Sequence, residues 1–272
     1  MIIKVVDFSL DKTMDAGHTF LWQKQGDYYV SYLKSPARIK QLDGGALEVD
    51  GINENEAREL LGLNDNIEEI NAEIDKDDFI DRAINYSSGI RVVKEGIWAS
   101  TLAFVLSIQS NVPLIKRRIA ALSKEYGNRG EMHDNVIYGF PGFDKIFSDG
   151  LEKLKKFKLG FRTKFVFSAA EYFHNNLILD SEDFYVLRSK LIKIHGVGEK
   201  VLDCVMLYGA HDLSAFPMDV WIKRVLSNNY GKLLKGLKSY KKISEAITAH
   251  FGRYAGYAQL YMYNYSRMNK LK

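Results

Sequence analysis

The chain of 272 residues contains little that could build a covalent cross-link or a thiolate metal site. Cys204 is its only cysteine, which excludes an internal disulfide and an all-cysteine zinc or iron–sulfur site. No stretch reaches the roughly 18 apolar residues of a membrane-spanning helix, and the first residues lack a signal-peptide pattern. The hydrophobic content of 46% is that of ordinary globular proteins. The single cysteine and the lack of a signal-peptide pattern predict an intracellular protein, and no membrane contact is expected.

Proline is also scarce, with 4 residues in the chain, and no low-complexity linker or internal repeat interrupts it. The length suffices for one large domain or two to three small ones. Without a flexible linker between them, the parts of the chain are predicted to pack against one another.

The net charge of +4 hides two parts of opposite sign. Residues 1–90 hold 9 Lys and Arg against 18 Asp and Glu, a net charge of −9, whereas residues 91–272 carry a net charge of +13. The second part is the expected nucleic-acid surface, because a basic surface attracts polyanions. Charge alone does not separate DNA from RNA or an acidic protein, and two differently charged solvated faces are an alternative.

The first 50 residues are rich in β-forming side chains. Runs at 28–33, 38–42 and 46–49 predict strands, and the Gly- and Asp-containing segments at 26–27 and 43–45 predict the turns between them. Residues 1–50 are therefore interpreted as an antiparallel β-meander.

From about residue 66 the apolar residues recur every three to four positions, as in helices that bury one face. Helices are predicted near 113–126, 143–147, 150–157, 162–175, 183–192, 199–209, 220–229, 238–251 and 255–268. The predicted fold class is α+β, with a β-rich N-terminal domain at 1–85 followed by a mostly α-helical region at 86–272.

The most informative segment is 191–224, LIKIHGVGEKVLDCVMLYGAHDLSAFPMDVWIKR. Within it, His195-Gly196-Val197-Gly198 joins two predicted helices, giving a helix–hairpin–helix motif at about 183–209. Such a hairpin can hold DNA phosphates on backbone N–H groups, because glycine permits close approach and helix N-termini favour anions. Lys200 and Asp219 beside this clamp indicate chemistry on the nucleic acid as well as binding.

GVGEKVLDC followed by AFPMDVW resembles the signature of base-excision DNA glycosylases, and most closely that of the 8-oxoguanine DNA glycosylase/AP lyase family in its bacterial and archaeal branch. The lysine two residues after the second glycine, the cysteine four residues later and the Pro-x-Asp make the match specific. The resemblance extends over nearly the whole chain. It implies a bifunctional enzyme that excises 8-oxoguanine from duplex DNA through a lysine Schiff base and nicks the abasic site by β-elimination.

Two residues are expected to carry this reaction. The family's nucleophilic lysine falls on Lys200, whose amine can attack the anomeric carbon once it is neutral, which requires desolvation or a neighbouring cation. The family's catalytic aspartate falls on Asp219, whose carboxylate could stabilise positive charge on the sugar. The structural alternatives, judged from sequence position alone, are a solvated lysine at Lys200 and a helix N-cap at Asp219.

The resemblance also assigns a base-binding pocket. Gly17 matches the glycine whose carbonyl accepts a hydrogen bond from N7–H of 8-oxoguanine, a hydrogen that guanine lacks. Gln259 would read the Watson–Crick edge of the base, Tyr263 would stack on its face, and Cys204 and Trp221 would border it. A turn glycine, a buried cysteine and ordinary helix packing are the corresponding structural alternatives.

Two loops match the elements that the family inserts into DNA. Phe161 would wedge beside the estranged base, and Gln109 would fill the gap left by the flipped nucleotide. Arg162 would bond to the opposite base, while the hairpin residues 195–198 would contact the backbone. Such wedges offset the cost of taking one base out of the stack.

Several positions depart from the family pattern. Gln109-Ser110-Asn111 stands where the family often has a run of asparagines. Leu114 stands where eukaryotic members carry a second arginine that contacts the opposite cytosine, which predicts a relaxed preference for the base opposite the lesion. Trp221 replaces a common histidine, and Tyr263 replaces a usual phenylalanine. These two changes bear on lesion specificity more than on the type of reaction.

Two other functions would use the same hairpin. A monofunctional glycosylase for alkylated bases shares the aspartate but does not need the lysine, and a non-catalytic DNA-binding module needs neither. No metal or organic cofactor is expected, although hairpin carbonyls could hold a structural monovalent cation. The expected partner is double-stranded DNA containing 8-oxoguanine, bound by a monomer in the cytoplasm or nucleoid.

Overall fold

The computed structural model describes residues 1–133 and 135–269, and its first part is an antiparallel sheet. The strands are β1 (Ile2–Ile3), β2 (Gln23–Gln25), β3 (Tyr28–Tyr32), β4 (Pro36–Gln41) and β5 (Leu47–Asp50). They lie in the order β1-β5-β4-β3-β2 and pair antiparallel throughout. The predicted meander is confirmed, because consecutive strands β2 to β5 are neighbours in the sheet.

The interpretation of residues 1–50 as strands alone is wrong at α1 (Leu10–Asp15). The hydroxyl of Ser9 caps this helix by accepting a hydrogen bond from the N–H of Lys12, and Leu10 and Met14 are buried beneath it. A helix of six residues is marginal by propensity and forms because it is capped and packed. The β-forming residues on either side of the helix obscured it in the sequence.

Helices dominate the rest of the chain. They are α2 (Glu54–Leu60), α3 (Ile67–Ile74), α4 (Asp78–Tyr86), α5 (Ile97–Ser107), α6 (Val112–Tyr126), α7 (Phe143–Leu154), α8 (Arg162–Asn175), α9 (Phe184–Leu191), α10 (Glu199–Val205), α11 (Val220–Asn229), α12 (Tyr240–Phe251) and α13 (Ala255–Met268). The α+β fold class is thus confirmed. Gly150 leaves helical geometry inside α7, which agrees with the prediction of two helices meeting there.

Two features after α6 and α10 were not predicted. A short hairpin of β6 (Arg129–Met132) and β7 (Asn135–Tyr138) follows α6. A π-helical turn at Met206–Ala210 continues α10, so the predicted helix at 199–209 changes its hydrogen-bond pattern partway. Such π-turns occur often at functional sites.

Two hydrophobic cores underlie the fold. One lies on the sheet around Ile39, Leu47 and Val49, and the larger one joins the helices. Ile70 of α3 and Ile80 of α4 belong to the larger core, although both precede the predicted domain boundary after residue 85. That boundary stays a prediction. In residues 1–133 and 135–269, no helix combines the length and apolar character needed to cross a membrane.

Candidate active site

A cleft of about 890 Å³ brings together residues that are distant along the chain. Its walls include the loop after α1, the end of α5 with the loop and first turn of α6 that follow it, the hairpin with α10, the first turn of α11, and α13. The predicted site residues that line it are Gly17, Gln109, Gly196, Gly198, Lys200, Cys204, Asp219, Trp221, Gln259 and Tyr263. Phe161, Arg162, His195 and Val197 are not among the lining residues.

Lys200 stands in the first turn of α10, directly after the hairpin. Its side chain is half-buried, and its Nζ lies 5.3 Å from the centroid of the Phe104 ring. Phe104 is buried and lines the same cleft. The amine is therefore held against an aromatic face, in the cavity that Asp219 also lines.

Cys204 lies one helical turn after Lys200 and is buried. Burial raises the pKa of its thiol to about 11, and the neighbouring Lys200 ammonium only partly opposes this shift. The thiol is therefore protonated at neutral pH and is a poor nucleophile. It provides a small, polarisable part of the cleft wall.

Asp219 is the N-cap of α11, as the structural alternative predicted. Its Oδ1 accepts a hydrogen bond from the N–H of Ile222 at 2.8 Å. One carboxylate oxygen is thus occupied by the helix, and the half-buried side chain still lines the cleft. The cap fixes the orientation of the carboxylate, so the structural and the catalytic interpretations are compatible.

One end of the cleft is formed by Gln259 and Tyr263, which lie one turn apart on α13. Gln259 is buried and accepts a 3.4 Å hydrogen bond from the hydroxyl of Tyr208. The Tyr208 ring lies between those of His18 and Phe104, with centroid distances of 4.9 and 5.6 Å. This aromatic column supports the amide that was predicted to read the base.

His18 lines the cleft but was not recognised from the sequence. Burial lowers the pKa of its imidazole to about 3, so the ring is neutral at physiological pH. Neither ring nitrogen has a hydrogen-bond partner within the described residues. His18, the residue after Gly17, therefore contributes an uncharged surface to the cleft.

The loop that carries Gly17 is held in place by hydrogen bonds to the carboxyl group of Glu95. The hydroxyl of Thr19 donates a short hydrogen bond to Oε1 of Glu95, and the N–H of Phe20 donates to the same oxygen at 3.3 Å. Glu95 is itself 3% exposed and lies two residues before the start of α5. Gly17 has a φ of +85°, a conformation that glycine adopts at little cost.

Glu95 gives the protein a specific dependence of stability on pH. Burial raises the pKa of its carboxyl to about 7, although the hydrogen bonds from Thr19 and from the backbone of Leu21 and Phe20 oppose the shift. The folded state therefore holds this proton more tightly than the unfolded state. Its contribution to the free energy of unfolding is fully present below about pH 4.5 and is lost as pH rises towards 7, by about 3 kcal/mol.

Urea denaturation at pH 5 and pH 7.5 tests this expectation. The loss of stability between the two pH values should be smaller by a few kcal/mol in Glu95→Gln, because the amide does not titrate. Glu152→Gln, at a carboxylate with 80% exposure, is the matched control. Equal losses in wild type and Glu95→Gln would contradict the assignment.

The two predicted insertion elements are linked to each other through Arg162. Its guanidinium is buried and donates to the carbonyl oxygens of Ile108 and Gln109, both at 2.6 Å. In this arrangement it is not free to contact a base, so the predicted contact with the opposite base requires these bonds to be exchanged. Gln109 is exposed and has a φ of +49°, and Phe161 is 47% exposed.

Phe165 connects the hairpin to the predicted insertion residue Phe161. This contact was not predicted from the sequence. The ring of Phe165 lies 5.8 Å from that of Phe161 and 4.9 Å from that of His195. Gly196 has a φ of +100°, and an added Cβ there would lie 2.5 Å from this ring. At Gly198 an added Cβ would meet no described atom within 4 Å, so the backbone is open to an approaching phosphate.

Within the part of the chain that is described, no three His, Cys, Asp or Glu side chains come together as metal ligands. Several residues that sequence analysis missed at the cleft, such as Phe104 and Tyr208, are ordinary core types whose position depends on the tertiary fold. Arg267 has a local signal, because it follows Tyr263 by four residues on the same helix and lines the cleft.

Similarity to known proteins agrees with this site. No family model matches the chain. It is 29% identical over 158 residues to the N-glycosylase/DNA lyase of Saccharomyces cerevisiae, and the match spans 52% of this chain but 42% of the yeast protein. The Clostridium acetobutylicum 8-oxoguanine glycosylase/lyase, solved with DNA containing cytosine opposite 8-oxoguanine, superposes with a TM-score of 0.89 at 27% identity, covering 99% of this chain and 96% of that one.

MBOgg1, solved in complex with a low-affinity DNA ligand, gives the same TM-score of 0.89. Its identity to this chain is 30%, and the superposition covers 99% of this chain and 96% of MBOgg1. With this identity over nearly the full length of both chains, and with the motif residues around one cleft, the chain belongs to the 8-oxoguanine DNA glycosylase/lyase family.

Proposed function

We propose that the protein is a bifunctional DNA glycosylase and AP lyase that removes 8-oxoguanine from double-stranded DNA. The observation that carries the proposal is the convergence of Lys200, Asp219, Gly17 and Gln259 on one cleft of about 890 Å³. Ligand-binding clefts typically have volumes of ~300–1,000 Å³, so this cleft is large enough for an extruded nucleotide. A nucleotide that has left the duplex would place its base between Gly17 and α13 and its sugar near α10.

The reaction begins when the amine of Lys200 attacks C1′ of the extruded nucleotide. The new N–C1′ bond forms as the glycosidic bond breaks, and the departing base takes up the proton that the amine nitrogen loses. The carboxylate of Asp219 would stabilise the positive charge that develops on the sugar. Ring opening then gives a Schiff base between Lys200 and C1′.

Strand scission follows from the Schiff base. The positively charged imine makes the hydrogens on C2′ acidic, and loss of one of them expels the 3′ phosphate by β-elimination. Hydrolysis of the imine afterwards releases Lys200 and the cleaved strand. No step uses a metal or an organic cofactor.

Recognition of the base would rest on the polar groups at the far end of the cleft. The carbonyl of Gly17 would accept the N7–H of 8-oxoguanine, and normal guanine would leave that carbonyl facing a lone pair. Gln259 would pair with the Watson–Crick edge, and Tyr263 would stack on the base with Cys204 and Trp221 at its border. These assignments together specify an oxidised purine.

Contacts with the duplex would come from the surface around the cleft. The hairpin residues 195–198 would hold a phosphate on backbone N–H groups. Phe161 and Gln109 are exposed and would enter the stack. A monovalent cation on the hairpin carbonyls, action as a monomer and a location in the cytoplasm or nucleoid complete the proposal.

The deciding experiment is reduction with borohydride during incubation with a duplex that contains one 8-oxoguanine. The expected result is a covalent protein–DNA adduct, because reduction locks the Schiff base, with no adduct on undamaged DNA. Release of the base without an adduct would indicate a monofunctional glycosylase. Salt-sensitive binding with neither product would indicate a DNA-binding module and would overturn the proposal.

The base opposite the lesion should influence excision only weakly. Leu114 lies in the first turn of α6, close in sequence to Gln109, and offers no polar head to that base. Single-turnover rates on duplexes pairing 8-oxoguanine with each of the four bases should therefore agree within about tenfold. Leu114→Arg should favour cytosine, and a strong cytosine preference in the wild type would refute the expectation.

A further inference from the structure

Arg267 occupies the cleft wall directly beside the glycine that is proposed to read the lesion. Gln259, Tyr263 and Arg267 follow one another at intervals of four on α13, and all three line the cleft. A Cβ added to Gly17 would clash with Nη1 of Arg267, which is the nearest atom to that position. A positively charged donor is thus packed against Gly17.

The guanidinium is held in place by two contacts. Its Nη2 donates to the carbonyl oxygen of Asp15 at 2.7 Å, and its Cζ lies 5.7 Å from the centroid of the Tyr263 ring. Among the hydrogen bonds of the described residues, none uses Nη1. The group is therefore anchored through one nitrogen while the other, next to Gly17, keeps its donors available.

The chemical difference between 8-oxoguanine and guanine suggests a role for a hydrogen-bond donor beside Gly17. 8-Oxoguanine differs from guanine on one edge of the five-membered ring, where it has an N7–H donor and, next to it, a C8 carbonyl acceptor. A backbone acceptor reads only the first of these. An adjacent charged donor would read the second, and hydrogen bonds from charged donors are stronger than those between neutral groups.

We propose that Arg267 is a specificity-determining residue that donates a hydrogen bond from its guanidinium to the C8 oxygen of 8-oxoguanine, beside the carbonyl of Gly17. The acceptor and the donor together match the N7–H and C8=O edge of the lesion. Guanine presents a lone pair and a C–H bond to the same two groups. This inference rests on the proposed function, since it deepens the base recognition assigned to Gly17.

The main alternative for an arginine at the mouth of such a cleft is a contact with a DNA phosphate. The two roles differ in what they require of the base. A phosphate contact strengthens binding of any duplex, including one with an abasic analogue, and adds about one to the slope of log K against log salt. A contact with C8=O requires the lesion base in the cleft.

The test measures binding in a Lys200→Gln background, which prevents turnover. Affinities are determined for duplexes with 8-oxoguanine, guanine or tetrahydrofuran at one position, in protein with and without Arg267→Met. We expect the preference for 8-oxoguanine over guanine to fall about 10- to 100-fold in the Met variant. Affinity for the tetrahydrofuran duplex and its salt dependence should be unchanged.

Two further variants complete the design. Arg267→Lys keeps the charge but loses the planar fork, and should retain part of the preference if the methionine variant loses it. Arg253→Met removes a guanidinium that is bound to Glu69 and Glu73 outside the cleft and should leave the preference intact. An equal loss of affinity on all three duplexes, or an unchanged preference, would overturn the inference.

Failure of this inference is distinguishable from failure of the proposed function. A wild-type protein that neither excises 8-oxoguanine nor prefers it in binding would refute the function itself. Excision by the wild type together with an unchanged preference in Arg267→Met would refute only the role of Arg267.

Discussion

Replacing Lys200 with glutamine is expected to lower excision and nicking of an 8-oxoguanine duplex by at least about 10³-fold, because the substitution removes the amine that is proposed to form the Schiff base. The covalent adduct with borohydride should disappear at the same time. DNA binding should persist, since the hairpin and the exposed insertion residues are untouched. Single-turnover kinetics and adduct trapping on the same samples measure both effects.

Lys223 offers a matched control, because it is the second lysine that lines the cleft. Lys223→Gln should still give the adduct, whatever its effect on DNA affinity. If the adduct instead persists in Lys200→Gln and is lost in Lys223→Gln, the nucleophile has been assigned to the wrong lysine.

Replacing Asp219 with asparagine should separate its two roles. Asparagine is as good an N-cap as aspartate, so the bond to the N–H of Ile222 and the free energy of unfolding should be kept. The negative charge is lost, and excision should fall about 10²- to 10³-fold. The comparison therefore isolates the contribution of the charge near the sugar.

Asp219→Ala provides the other half of the comparison. Alanine removes both the charge and the cap, so activity should fall as in the asparagine variant and unfolding should become easier by about 1 kcal/mol. Urea denaturation of the three proteins measures the second effect. Full activity in the asparagine variant would show that the carboxylate serves the helix alone.

Short motifs carry most of what the sequence reveals of the site. The hairpin segment carries the family resemblance that assigns Lys200, Cys204 and Asp219, and two further segments assign Gly17, Gln259 and Tyr263. Likewise α8 was predicted at 162–175 and spans Arg162–Asn175. Local patterns suffice where spacing along the chain determines spacing in the molecule.

The supporting residues could not be predicted because distant segments bring them together. Thr19 and Glu95 are 76 residues apart in the chain, and neither has a feature that marks it as a neighbour of the other. His18 and Tyr208 are ordinary aromatic residues until the fold stacks them. Of the residues in β6 and β7 only Ile137 is buried, so the hairpin lacks the alternating apolar residues that mark a half-buried strand in a sequence.

The bonds from Arg162 to the carbonyls of Ile108 and Gln109 have a consequence for how this loop can vary. Every residue type has a carbonyl oxygen, so exchanging the side chain at position 109 leaves the link to α8 intact. The side chain that is proposed to enter the DNA stack can thus change during evolution or engineering while the position of the loop stays fixed. The positive φ at Gln109 sets the limit: asparagine and glycine fit this backbone, whereas β-branched residues do not.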